Sequence, residues 1–303
     1  MSVGTDDKSE LTERNKNMEK KLDRRRKYYM ILDTETATLP FVNEYAKDAK
    51  AKQKIAIAKP LVYDIGYQII DAKGKVYRKR SFLVSEIFSV PSVFDTAYFA
   101  SKRPIYLKRL AKGETTVKPW KEITAILESD LSEVYAVGAY NSMFDFKKAI
   151  PFTERYINAL YGNYADFERK QRFACEKILD GKEYDYTKSF DKDHFIFRKK
   201  KYRLFDLWGL SCIHILNNDE YRDLCIENNW TSASGKHFPT SAEKTFAYVS
   251  GKIDFSEAHT AIEDAEIESD IFSIIARKTH NKFEYGIIYF PFRILGKVED
   301  YVN

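Results

Sequence analysis

Apolar residues recur along this chain with two different periods, and the switching between them outlines a fold. YYMILDTE at 28–35 opens with an apolar run that reads as an interior strand, and LVYDIGYQII at 61–70 and KVYRKRSFLV at 75–84 read as two more. The turn signal DAKGK joins the last two into a hairpin. Helical spacing takes over in WKEITAILESDL at 120–131, where Ile123, Ile126, Leu127 and Leu131 share a face. VYAVGAYN at 134–141 returns to strand, and FDFKKAIPFTERYINALYG at 144–162 continues as a helix that Pro151 should kink or restart. YRLFDLW at 202–208 reads as a strand, and AHTAIEDAEIESDIFSIIARK at 258–278 as the last long amphipathic helix. Strands alternating with helices after an opening hairpin predict an α/β domain with a mixed sheet flanked by helices.

The flanks differ from this pattern. Residues 1–27 are almost wholly polar, with Arg24, Arg25, Arg26 and Lys27 in a basic cluster, and are expected to form a tail or a solvated helix. The folded domain then spans 28–280, with 281–303 as a C-terminal extension. A chain of 303 residues can bury a sizeable core. Its net charge of +5 is mild, so an anionic partner must be met by a local patch. Cys175, Cys212 and Cys225 form neither a metal-ligand spacing nor an even disulfide framework, which suits a reducing compartment. No stretch approaches the ~20 apolar residues of a membrane span and no signal-peptide core opens the chain. The expectation is a cytoplasmic protein with no membrane contact. A composition heavy in Lys, Tyr, Phe, Ile and Asn points to a low-GC bacterium or its phage.

The chemistry begins where the first strand ends. Asp33 and Glu35 are two apart, so a strand sets both acids on one face. A D-x-E pair alone is commonly a solvated surface, and Asp264-Ala265-Glu266 offers a second one within a helical pattern. Behind Asp33, however, Met30, Ile31 and Leu32 make the strand an interior one, and paired buried carboxylates most readily find a partner in a divalent cation. Asp145, between Phe144 and Phe146, reads equally well as a ligand or as an acid at a helix N-terminus. Asp264 falls on one helical stripe with Ile267, Ile271 and Ile274, a core-facing line. His259 precedes Asp264 by five residues, about 140° around a continuous helix, so it can share a site only from the turn entering that helix. His214 and Asp219 repeat the spacing, but His214 within WGLSCIHIL reads as a buried core residue.

In order, the set is D-x-E on the first strand, N-S-M-F-D at a strand-to-helix junction, and H-T-A-I-E-D at the last helix. It resembles the histidine branch of the DEDD superfamily of 3′-to-5′ exonucleases, over roughly residues 28–278. The resemblance extends to YDIGYQIID, with Asp64 in place of the family's glutamate, and to Leu39 at the place of an apolar wedge. Ala37-Thr38-Leu39 departs from the family's T-G-L, and Tyr140 stands where many members carry histidine. The resemblance implies a ribonuclease H-like fold, with insertions near 40–60, 85–118 and 160–203. It implies two Mg²⁺ or Mn²⁺ ions held by Asp33, Glu35, Asp145 and Asp264, His259 as general base, and substrate contacts at Thr34, Thr36, Leu39, Asn141 and Phe144. Lys199, Lys200 and Lys201 in RKKKYR are candidate phosphate contacts. The expected activity is 3′-to-5′ hydrolysis of phosphodiester bonds at single-stranded or frayed DNA ends, in replication or repair, beside a separate polymerase or other replication partner. An exoribonuclease of the same branch and a non-catalytic nucleic-acid-binding module are the alternatives.

Overall fold

The computed structural model describes residues 21–181 and 191–302. Seven strands form one mixed sheet: β1 (Tyr29–Ala37), β2 (Leu61–Ile70), β3 (Val76–Val84), β4 (Thr116–Lys118), β5 (Ala136–Ala139), β6 (His194–Phe197) and β7 (Lys200–Asp206). Their order is β4-β3-β2-β1-β5-β7-β6. β2 runs against both β1 and β3, and β6 against β7; the remaining pairings are parallel. The expected α/β architecture with a mixed sheet flanked by helices is therefore present. β1, central and apolar on both faces, forms as the interior strand its sequence requires.

Successive residues of β1 feed two cores. Met30 and Leu32 face one that holds α3 (Trp120–Leu131), α4 (Ile150–Leu160) and α5 (Tyr164–Leu179), while Tyr29 and Ile31 face another built with α8 (Ala261–Lys278). The remaining longer helices are α1 (Ala49–Ala58), α2 (Arg103–Ala111), α6 (Asp219–Glu227) and α7 (Ala242–Ser250). α1 and α2 lie within the expected insertions near 40–60 and 85–118, and α5 and β6 within that near 160–203, part of which falls outside the described residues. Of the polar N-terminal segment, 1–20 lies outside them as well; Leu22 packs partly against the core and its N–H donates to Glu133 Oε2 at 3.1 Å.

Pro151 restarts its helix. Residues Asp145–Ala149 form a π-turn in which the Ile150 N–H reaches the Asp145 carbonyl, and α4 begins with proline in its first turn, where no N–H is needed. The C-terminal extension packs on the domain: Gly286 bridges to Phe205 of β7, and Leu295 is buried. Gly66 sets the position of α8. It lies opposite Asp33 in the β1–β2 ladder, and a Cβ there would sit 2.3 Å from the Ile262 backbone nitrogen. Only glycine lets the first turn of α8 lie this close to the sheet beside Asp33.

Candidate metal centre

The carboxyl ends of β1, β5 and β7 lie side by side, and each delivers an acid. Asp33 and Glu35 point to the α8 side of β1; Asp145 follows β5 through a turn capped by Asn141, whose side chain accepts from the Phe144 N–H at 3.2 Å; Asp206 closes β7. Asp64 fastens α8 to this end of the sheet by accepting the Ala261 N–H at 2.9 Å. That bond satisfies a first-turn donor of the helix and brings Asp264 over β1.

Burial and mutual repulsion act together on these groups. Desolvation, then the charges of Glu268, Asp145, Asp264 and Glu35, hold the Asp33 carboxyl well above its ordinary range. Glu35 is raised for the same reason, with Asp264 its strongest neighbour. Burial lifts Asp145 to about 7, against the opposing bond from Thr34 Oγ1 to its Oδ1 at 2.6 Å. Asp264 is pushed up to about 8 by burial and then by Glu257 and Glu263. Its Oδ1 is buried with no hydrogen-bond partner among the described residues, and Glu35, His259 and Asp264 each bring one donor atom to within 4.8 Å of the others. A buried, unpartnered carboxylate oxygen at the meeting point of acids from separate elements is what a hard divalent cation requires.

His259 sits on the turn entering α8. Its backbone is left-handed, φ 53°, an uncommon conformation that turns the side chain back toward β1. The ring lies flat on Phe99, centroids 4.4 Å apart and planes 15° apart, and Nδ1 is 3.7 Å from Glu257 Oε2. Burial and then the Lys102 cation depress its pKa below the usual value. His214 is placed otherwise than its sequence context suggests: it is partly exposed, on the π-turn Cys212–Leu216, and pairs with Glu284 at 3.0 Å. The apolar run around it is buried while the imidazole turns to a carboxylate at the surface.

Two acids in this centre were not singled out from the sequence, although Asp206 follows Leu204 and Phe205 in the strand pattern YRLFDLW much as Asp33 follows Ile31 and Leu32. Glu268, one turn after Asp264, is 2% exposed and accepts the Tyr140 N–H at 3.0 Å. Asp206 is raised to about 7 by burial and accepts the Ile288 N–H at 3.3 Å. The buried stripe of α8 thus runs through Asp264, Ala265, Glu268, Ile271, Phe272 and Ile275, with Ile267 and Ile274 only partly covered.

The substrate-contact candidates separate into two groups. Thr34, Thr36 and Phe144 line a groove beside Glu35, and Asn141, on the capping turn, is exposed but does not line it. Leu39 is fully buried in the core and presents no surface to a ligand. Lys200 and Lys201 open the far end of β7 and Lys199 lies in the turn before it, so that Lys200 is six residues or ~20 Å along the strand from Asp206. There Lys200 pairs with Glu128 at 2.9 Å and Lys201 with Asp191 at 3.1 Å.

No protein-family model, curated protein or solved structure matches the chain. Among the described residues no helix is long and apolar enough to cross a membrane.

Proposed function

We propose that this chain is a metal-dependent 3′-to-5′ exonuclease of the histidine branch of the DEDD superfamily, on a ribonuclease H-like fold. The observation that carries the reading is the meeting of Asp33, Glu35, Asp145 and Asp264 with His259 at one end of the sheet, from segments up to 231 residues apart. A sheet whose five central strands run β3-β2-β1-β5-β7 with only β2 reversed supports the fold assignment. DNA at a single-stranded or frayed end is the substrate of this reading, in a bacterial or phage-infected cytoplasm. The three free, buried cysteines suit that setting.

Asp33, Glu35, Asp145 and Asp264 would hold two Mg²⁺ or Mn²⁺ ions, and the buried unpartnered Asp264 Oδ1 fits such a role. When bound, the ions offset the repulsion among the acids, withdraw charge from the scissile phosphate and lower the pKa of the attacking water. The protein's own contribution is to hold the acids rigidly before any ion arrives: Thr34 fixes Asp145, and Asp64 anchors the helix that carries Asp264. His259, its pKa depressed, is neutral at pH 7 and has a ring nitrogen free to accept a proton from water. Phe99 behind the ring and Glu257 beside it limit its rotation.

The test is digestion of 5′-labelled DNA and RNA oligonucleotides, single- and double-stranded, with Mg²⁺, Mn²⁺ or chelator, by wild type and Asp33→Ala. Stepwise shortening from the 3′ end that needs metal and disappears in Asp33→Ala is expected. Activity in chelator, or undiminished activity in a folded Asp33→Ala protein, would refute the reading. RNA cleaved in preference to DNA would assign the exoribonuclease form.

A further inference from the structure

The groove beside Glu35 has a volume of about 840 Å³, within the ~300–1,000 Å³ span of ligand sites. Its inner wall is the end of β1, from Thr34 to Thr38, with Phe144; its outer wall consists of two segments the family resemblance does not include. One is α1, which presents Lys50, Lys52 and Ile57, and the other is 95–99, which presents Tyr98 and Phe99.

Three features of this wall point to one class of ligand. Tyr98 is 86% exposed and Ile57 48%, so the groove keeps an aromatic face and an aliphatic side chain in contact with water at a cost in hydration. Lys50 and Lys52 are exposed and have no ionic partner among the described residues, unlike Lys200 and Lys201 on the far hairpin. One carboxylate, Asp95, shares the rim with them. Finally, Phe99 lines the groove and also lies flat on His259, so the groove ends at Glu35 and the proposed general base. Flat apolar faces beside unpaired cations match unpaired bases on a phosphate backbone; a duplex hides its base faces within the stack.

Resting on the exonuclease reading, we propose that this groove binds the single-stranded end of a nucleic acid and leads it to the carboxylate centre. Tyr98 stacks on a base, and Lys50 and Lys52 neutralise phosphates. α1 and 95–99 are thus the determinants of single-strand preference in this chain.

Binding is measured by fluorescence anisotropy in chelator, so that no cleavage intervenes, with a 5′-labelled oligo-dT and the same strand in a blunt duplex. Wild type should bind the single strand more tightly. Tyr98→Ala should weaken that binding about thirtyfold, the middle of the range for one lost stack, while Tyr98→Phe retains it. Lys50→Ala/Lys52→Ala should flatten the dependence of log K on log salt by roughly 1.4, at ~0.7 per phosphate contact on a single strand. All three side chains are exposed, so melting temperatures should match wild type. Wild type that degrades DNA with metal while both variants bind normally would overturn the groove assignment and leave the nuclease reading standing. Wild type that binds through these residues yet never cleaves would do the reverse, and no binding at all would overturn both.

Discussion

Asp264→Asn tests whether the acids form one site, because it removes a single charge and preserves shape. In the fold, burial and then Glu257 and Glu263 push the Asp264 carboxyl up to about 8, against ~3.9 in an unfolded chain. The folded state therefore holds this proton more tightly, and the stability it contributes is fully present below pH ~4 and lost as pH rises through about 8. At pH 7 the gap above ~3.9 corresponds to about 4 kcal/mol at 1.36 kcal/mol per pH unit. Asparagine avoids that loss, but its buried amide carries a desolvation cost of roughly 1–3 kcal/mol where it lacks good acceptors, which offsets part of the gain. The expected net effect in chelator at pH 7 is about 1–2 kcal/mol, a rise in Tm of roughly 2–6 °C, shrinking toward zero at pH 5. Mn²⁺ at a hundred times its Kd should stabilise wild type by about 2.7 kcal/mol and the variant far less. Thermal melts of both proteins between pH 5 and 8, with chelator and across a Mn²⁺ titration, provide the measurement. Equal melting temperatures at pH 8 in chelator, or an equal response to Mn²⁺, would show that Asp264 does not belong to a shared cation site.

His259→Ala should slow cleavage by roughly 10²–10⁴ while leaving the Mn²⁺-induced rise in Tm largely in place, whereas His214→Ala should affect stability alone; steady-state kinetics beside melts would expose the reverse assignment. Replacing Lys199, Lys200 and Lys201 with Ala should lower the salt slope of binding by at most about one contact, ~0.7, because two of the three charges already meet Glu128 and Asp191; a larger drop would place nucleic acid on that hairpin. Glu268→Gln keeps an oxygen for the Tyr140 N–H and deletes a proton-binding group whose pKa burial and Asp145 hold well above normal, so the fall in apo stability from pH 5 to 8 should become shallower; an unchanged pH profile of Tm would separate Glu268 from the cluster.

Much of the sheet was legible because its strands are long, apolar and bounded by turn residues. β1, β2 and β3 lie within one or two residues of their expected limits. β4 and β6 were not, being only three and four residues long. α1 and α5 escaped a reading based on apolar periodicity because they bury little: Ile55 alone in α1, Cys175 and Ile178 in α5. At the site, Asp33 and Glu35 announced themselves through the apolar strand residues before them, while Asp206, behind Leu204 and Phe205, carried the same signal without a second acid beside it. Glu268 did not, since a glutamate in a helix rich in Glu and Asp looks solvated until Tyr140, 128 residues earlier in the chain, supplies its donor. The Phe99–His259 stack likewise joins segments with no local pattern in common.

The close seating of α8 against Gly66 also fixes when in the life of the chain the site can exist. Asp33 leaves the ribosome early, but Asp264 follows 231 residues later. At ~5–20 residues per second, the first strand waits roughly 10–50 s for the helix that completes its carboxylate set. During that interval β1 and β2 can pair as a hairpin, yet the face that α8 will cover stays open and no nascent chain carries the assembled carboxylate set. Synthesis interrupted anywhere before α8 would thus yield a fragment with an exposed apolar sheet face, a substrate for chaperones and proteases.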